Sequence, residues 1–150
     1  MARWMDTWLA GAASAGPGAP RGERLGLPAA GVSSVASFGR RLAALTVDWF
    51  IGYGIAALFL GAGVGQAPFT VLGVWFLLTA VPVAVFGASA GMTVLGIRVA
   101  SIGDAAVVGV PRALLRTAMI ALVVPPLVRD ADGRGWHDRA TRTVVVRSRA

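Results

Sequence analysis

The sequence predicts an all-α integral membrane protein: a two-helix transmembrane hairpin, then a third apolar helix that is re-entrant or a short crossing, with short cytoplasmic strands beside it. Three observations carry that prediction. Hydrophobic residues form 56% of the 150-residue chain and charged residues 14%, against about 25% charged in ordinary soluble domains. A soluble fold so poor in charge would expose too much apolar surface. From Trp49 to Ile97 there is no charged residue, a run too long for one helix across a bilayer. The net charge is +7, every cation is Arg, and Arg residues bracket the apolar run, as loops held on the cytoplasmic side of a membrane require. The same positive balance would serve nucleic-acid binding only on a soluble, groove-shaped surface, so no nucleic-acid partner is expected.

The chain divides into a flexible cytoplasmic tail over residues 1–37, a membrane domain over 38–147 and a tail over 148–150. The start does not read as a convincing signal peptide, because Asp6 interrupts the apolar residues after Arg3 and no apolar core of adequate length follows. Trp4, Met5, Trp8 and Leu9 share one helical face, which suits either a short interfacial helix or a mobile tail with two indoles. Residues 10–37 are rich in Gly, Ala, Ser and Pro, and Gly16-Pro17-Gly18-Ala19-Pro20 does not continue a helix.

Phe38-Gly39-Arg40-Arg41 opens the first span, residues 42–60, about 28 Å at helical rise and close to the hydrocarbon thickness. Gly61, Gly63, Gly65 and Pro68 mark a turn, and residues 69–86 form the second span. Gly52 and Ala56 give the first span a small-residue face for close packing. Arg40 and Arg41 stand before the first span, and Arg98 and Arg112 follow the second. The uncharged loop at 61–68 is therefore expected outside and the N-terminus in the cytoplasm of a cell-membrane protein.

Residues 96–102 and 105–110 read as two short strands around a Gly103-Asp104 turn, and residues 142–147 as another strand. Residues 113–128 are apolar but span only about 24 Å at helical rise, contain Arg116 and are interrupted by Pro125-Pro126. A third crossing would place Arg129, Arg134, Arg139, Arg142, Arg147 and Arg149 outside, so a re-entrant or interfacial helix is favoured. The alternative is a tilted crossing with Arg116 snorkelling to the inner headgroups.

Asp48 is the most informative residue. An acid inside a transmembrane helix costs about 2.5–3.5 kcal/mol to insert and usually faces the protein interior, on an ion pathway or paired with a base. Arg41 lies seven residues earlier on the same face, about 10.5 Å along the axis. The two are expected to bridge part of that gap through water or a partner, as packing lock or as ion or substrate site. Gly87-Ala88-Ser89-Ala90-Gly91 matches a G-x-S-x-G pattern, but a membrane helix precedes it and no triad is visible, so no enzyme is expected and the small residues are read as close-packing positions. Asp130-Ala131-Asp132-Gly133 lacks the later ligands of a calcium loop. With one His and no Cys, neither a transition-metal site nor a cofactor is expected. Trp136-His137-Asp138-Arg139 is a dense polar group whose Asp138 could accept from Arg139, Arg142 or a membrane-edge Arg.

Three stretches together resemble the RDD family of membrane proteins. Arg41-Leu42-Ala43-Ala44-Leu45-Thr46-Val47-Asp48 is similar to its first helix. Gly91-Met92-Thr93 through Leu95-Gly96-Ile97-Arg98-Val99 is similar to the segment after its second. His137-Asp138-Arg139-Ala140-Thr141-Arg142-Thr143-Val144-Val145 is similar to its closing motif. The resemblance covers about residues 38–147 and makes Arg41, Asp48 and Asp138 the family's Arg and two Asp. Arg40, Arg116, His137 and Thr143 are taken as supporting site residues on this chain's own pattern. The chain is shorter than many relatives before Leu95-Gly96. What the resemblance implies is a membrane domain, with transport, including cation/proton exchange, suggested for some members. The function expected is ion or small-solute transport through intramembrane Arg/Asp groups. The alternative is a non-transporting adaptor or structural subunit that binds lipid or a partner protein. The partners expected are the lipid bilayer and either further copies of the chain or another membrane protein, because two or three helices rarely enclose a pathway alone. The face below Asp48 offers Gly52, Ile55 and Phe59, which carry no polar track.

Overall fold

A computed structural model describes residues 21–103, 105–122 and 134–149. Two long apolar helices dominate it. Helix α1 (Phe38–Leu60) starts four residues before the expected span, because the Ser37 side chain accepts from the Arg40 N–H and caps the first turn. It ends at Gly61. A 3-10 turn (Gly61–Gln66) leads to helix α2 (Pro68–Phe86), with Pro68 in its first turn and Gly87 as its C-cap at φ 75°. Both helices are long and apolar enough to cross a membrane. They pack antiparallel through the small face the sequence offers. A Cβ on Gly52 would lie 2.9 Å from the Trp75 Cβ and 3.0 Å from its Cα, and Ala56 is also buried. One turn before Gly52, the Trp49 ring stacks on Trp75 at 4.6 Å.

The chain then folds back on the end of the hairpin where α1 begins. Helix α3 (Ala90–Val94) is capped by Ser89 and pressed against α1. Strand β1 (Ile97–Ser101) follows, then helix α4 (Val110–Ala121), which packs along α2. Helix α5 (Trp136–Ala140) and strand β2 (Thr143–Arg147) close the described chain. β1 and β2 are antiparallel, with Ile97 opposite Arg147 and Ser101 opposite Thr143.

Two expectations change. Residues 105–110 form no strand; the partner of β1 is β2, some forty residues further on. Apolar composition there reflects packing, with Val108 buried in the core, and Pro111 lies in the first turn of α4. Residues 33–36, expected within a flexible tail, line the other edge of β2. Ser33 N–H donates to Arg147 O at 2.8 Å, Arg147 N–H to Ser34 O at 2.9 Å and Ala36 N–H to Val145 O at 2.9 Å. Their Ser and Ala side chains are small enough to be buried there. The expected helical architecture with short strands takes the form of a mostly helical fold with a small two-stranded sheet. The core sits where sheet and hairpin meet, with Ala44, Val83, Met92, Ile97, Val99 and Val145 at its centre. Residues 1–20, 104, 123–133 and 150 lie outside the described residues. With them lie the expected N-terminal interfacial helix, the Gly103-Asp104 turn, Pro125-Pro126 and the Asp130–Gly133 motif.

Candidate functional site

Asp138 is the hub of a buried charge cluster. It occupies the third position of α5, where its Oδ2 accepts from the Gly135 N–H at 3.4 Å and completes the helix N-terminus. Two guanidinium groups close on the same carboxylate. Arg41, from the start of α1, donates through Nη1 to Oδ2 at 2.9 Å. Arg116, from the middle of α4, donates through Nε at 3.1 Å and Nη2 at 3.0 Å to Oδ1. His137 Nε2 lies 3.2 Å from Oδ1. Asp138 has no exposure and Arg116 only 2%. Three elements far apart in sequence are thereby tied to one side chain.

The cluster sets its own protonation. Burial pushes the Asp138 carboxyl up, but Arg116, His137 and Arg41 together outweigh it and hold the carboxyl below the ordinary carboxylate value. Burial pulls His137 down to about 4; Asp138 works against that, while Arg116 and Arg41 add to it. At neutral pH the imidazole is therefore uncharged. With Nε2 facing Asp138, its hydrogen belongs on that nitrogen and Nδ1 is left as an acceptor.

Asp48 is separate. The sequence paired it with Arg41; the structure gives it α3 instead. Ser89 Oγ donates to its Oδ2 at 2.5 Å and the Gly91 N–H donates to its Oδ1 at 2.8 Å. Arg41 has turned to Asp138, because a carboxylate brought up beside it satisfies a guanidinium that would otherwise reach two turns along its own helix. The approach of α3 depends on Gly91. A Cβ there would fall 2.1 Å from the Ala44 carbonyl oxygen of α1. The G-x-S-x-G stretch thus holds the close-packing residues expected of it, and Ser89 has a role that reading missed. The spacing of small residues was legible; the partner of Ser89 was not, since Asp48 lies 41 positions away.

The supporting residues distribute unevenly. Arg116 does not snorkel; it is buried in the ion pair. Thr143 is buried, with its Oγ1 3.0 Å from Thr141 Oγ1 and 3.5 Å from the Asp138 carbonyl, so it fastens α5 to β2. Arg40 lies apart from the cluster and reaches the Leu95 carbonyl at 3.5 Å, close to where Arg149 donates to the carbonyls of Thr93 and Val94. These cations satisfy the C-terminal carbonyls of α3.

A cavity of about 170 Å³ joins the two charged groups. Asp48 and Thr79 line it together with Arg41, Arg116 and His137, and its remaining wall is apolar. Thr79, which the sequence reading passed over, is buried with no hydrogen-bond partner for its Oγ1 among the described residues. A lone Thr in an apolar helix carries no sequence signal of its own. No protein-family model, curated protein or solved structure matches this chain.

Proposed function

We propose that the chain is a multi-pass protein of the cell membrane that moves an ion or small solute by way of the cavity between Asp48 and the Arg41–Asp138–Arg116 cluster. The cavity is the observation that carries this reading. Buried charges that serve only as packing locks have no need of a shared space, whereas here Asp48 lines one together with Arg41, Arg116 and His137, the residues that surround Asp138. Membrane residence is supported by the outer surface of the hairpin. Only 22% and 33% of the most apolar windows of the two long helices are buried, so most of their apolar surface faces outward, with Phe50, Leu58, Phe59 and Phe69 strongly exposed. Lipid tails are the natural cover for such a surface. The Arg residues gather at the sheet end and the opposite turn is uncharged, which orients the sheet, and with it the N-terminal segment, towards the cytoplasm. The likeness of residues 38–147 to the RDD family points the same way.

A specific observation favours a second reading. On the far side of Asp48, Gly52 and Ala56 pack against α2 and leave no polar route towards the opposite end of the hairpin. A transporting assembly would then need further copies of the chain, and a non-transporting adaptor would not. Ion flux into proteoliposomes, comparing the native chain with Asp48→Asn, separates the two. Sodium- or proton-dependent flux that the folded variant loses makes Asp48 a permeation or coupling residue. No flux from the native chain with Na⁺ or K⁺ across a range of pH gives the adaptor reading the weight.

A further inference from the structure

A second cavity, of about 160 Å³, opens where the chain leaves α2. Phe86 and Gly87 bound it on one side, residues 98–101 of β1 on another and residues 105–108 on a third, and its wall is mostly polar. Alternation along β1 decides what that wall offers. Ile97 and Val99 are buried in the core, so Arg98 points to the opposite face, and its side chain is exposed. The ladder alternates too. The Ser148 N–H bonds Gly96 O and the Ile102 N–H bonds Arg142 O, so the N–H groups of Val99 and Ser101 point away from β2, towards the cavity side. Val99 donates there to Gly87 O, and Ser101 lines the cavity. A second guanidinium stands behind Ser101, because Arg112 Nη1 donates to its Oγ at 2.9 Å. Helix α4 begins at Val110, two residues beyond the wall, with no side-chain cap on its first turn, which adds the positive end of a helix to the same region. The carbonyl end of α2 is closed by Gly87, whose N–H bonds Val83 O. On opposite walls, Phe86 is 81% and Val107 55% exposed, so a basic, polar interior carries an apolar rim.

We propose that this cavity holds the phosphodiester headgroup of an anionic phospholipid of the inner leaflet, of the phosphatidylglycerol type, with the phosphate on Arg98 and the acyl chains leaving over Phe86 and Val107. The site rests on the membrane residence proposed above and is independent of transport. Phe86 is the last residue of α2, so in a membrane-spanning hairpin it stands where hydrocarbon gives way to headgroups. The guanidinium fork matches two phosphate oxygens at once. Two arginines and a helix N-terminus attract a lipid with net negative charge, whereas a zwitterionic headgroup brings its own cation into the same field. Free phosphate could use the same donors but has nothing to lay on the apolar rim; a lipid supplies both parts. What the site requires of Arg98 is access from the membrane surface, which its exposure provides. The volume is far above the roughly 15 Å³ that one water needs.

Native mass spectrometry of the full chain in detergent, with phosphatidylglycerol and phosphatidylcholine of equal chain length supplied in equal amounts, tests this. The native chain should retain phosphatidylglycerol over phosphatidylcholine by at least about fivefold, and Arg98→Gln should lower that preference by about fivefold. Val107→Asp leaves every Arg in place, adds an acid to an exposed position on the wall and should abolish the preference. Arg21→Gln, at an exposed Arg outside the cavity, should leave it unchanged. Asp104→Asn, which removes the acid next to residues 105–108 in the sequence, should leave retention equal or raise it. Equal retention of the two lipids by the native chain would overturn the proposal. So would a preference that survives both Arg98→Gln and Val107→Asp, an equal loss in Arg21→Gln, or a fall in Asp104→Asn. Displacement of the lipid by inorganic phosphate at equal concentration would overturn it as well, assigning the cavity to a soluble anion. Alkaline carbonate washing of membranes that contain the native chain separates the two readings. Release of the chain removes membrane residence and the lipid site together; a chain that stays in the membrane yet shows no preference for phosphatidylglycerol removes the site alone.

Discussion

His137 is the one group in the cluster whose charge changes near neutral pH in an unfolded chain, at about 6.5. In the fold its protonation is held off to about 4. Between those values the unfolded chain binds a proton that the folded chain does not. Stability therefore rises with pH through that window and is lost as pH falls from about 6.5 towards 4; above 6.5 the contribution is constant. Its full size is about 3 kcal/mol. The depressed carboxyl of Asp138 acts in the same direction at lower pH, since its stabilisation is present above the unfolded carboxylate value and is lost on acidification. His137→Gln keeps an N–H donor for Asp138 but does not titrate. Thermal midpoints from pH 7.5 down to about 4.5 should fall steeply for the native chain and much less for the variant; parallel curves would show that His137 is not the titrating group. Sequence reasoning found every member of this cluster and offered Asp138 a membrane-edge Arg, which Arg41 is, but it also set Arg41 towards Asp48. Arg41 and Asp48 share a helix face, so spacing alone pairs them. Arg41 and Asp138 are 97 residues apart, and no local pattern reports a contact over that distance. What decides the pairing is the return of β2 beside the start of α1, which is a property of the tertiary fold.

At the scale of elements, α3 is the least self-sufficient part of the structure and the one on which Asp48 depends. Its five residues are too few to be stable alone. It is held by the Ser89 cap, by the Arg40 and Arg149 contacts at its C-terminus and by the backbone approach of Gly91 to Ala44. Gly91→Ala places a methyl group inside the Ala44 carbonyl, and backbone rather than a flexible side chain has to give way. The variant should lose about 1–3 kcal/mol, because retreat of α3 removes two donors from a buried carboxylate. Thermal unfolding in detergent reads the loss, and an unchanged midpoint would mean that α3 moves without cost. Gly54 provides the control: an added Cβ meets nothing there, so Gly54→Ala should be neutral or slightly stabilising. The same contrast explains which elements the sequence disclosed. Two long uncharged runs divided by Gly and Pro announce a helical hairpin in any context, and strand β1 carried its β-branched residues openly. Residues 105–110 carry the same kind of residues and are no strand, because a strand needs an available edge and β2 has its two edges on β1 and residues 33–36. Composition reports apolar demand and leaves the choice of neighbour to the fold.

The arrangement of the sheet constrains the whole molecule. Residues 33–36 precede α1, β1 follows α2, and β2 lies near the C-terminus; all three are hydrogen-bonded together at one end of the hairpin. If the hairpin spans a bilayer, everything joined to that sheet lies on one side, and the chain crosses an even number of times between residue 36 and residue 143. Helix α4, twelve residues long, covers about 18 Å, and its first turn and its middle are both tied to the sheet end, since Arg112 is bonded to Ser101 and Arg116 to Asp138. On that same condition the sheet pairing favours a re-entrant or interfacial segment over a third crossing, independently of charge distribution. Because the chain contains no Cys, single cysteines report topology without background. Cysteines at Gly63 and at Ser148, in otherwise native chains in intact cells, should react differently with a membrane-impermeant maleimide: Gly63→Cys labels from outside, and Ser148→Cys only after permeabilisation. Labelling of both from outside would require a third crossing, and the β1–β2 pairing could not survive it. Labelling of Ser148→Cys alone would preserve the fold and reverse its orientation, placing the Arg-rich end outside against the positive-inside rule.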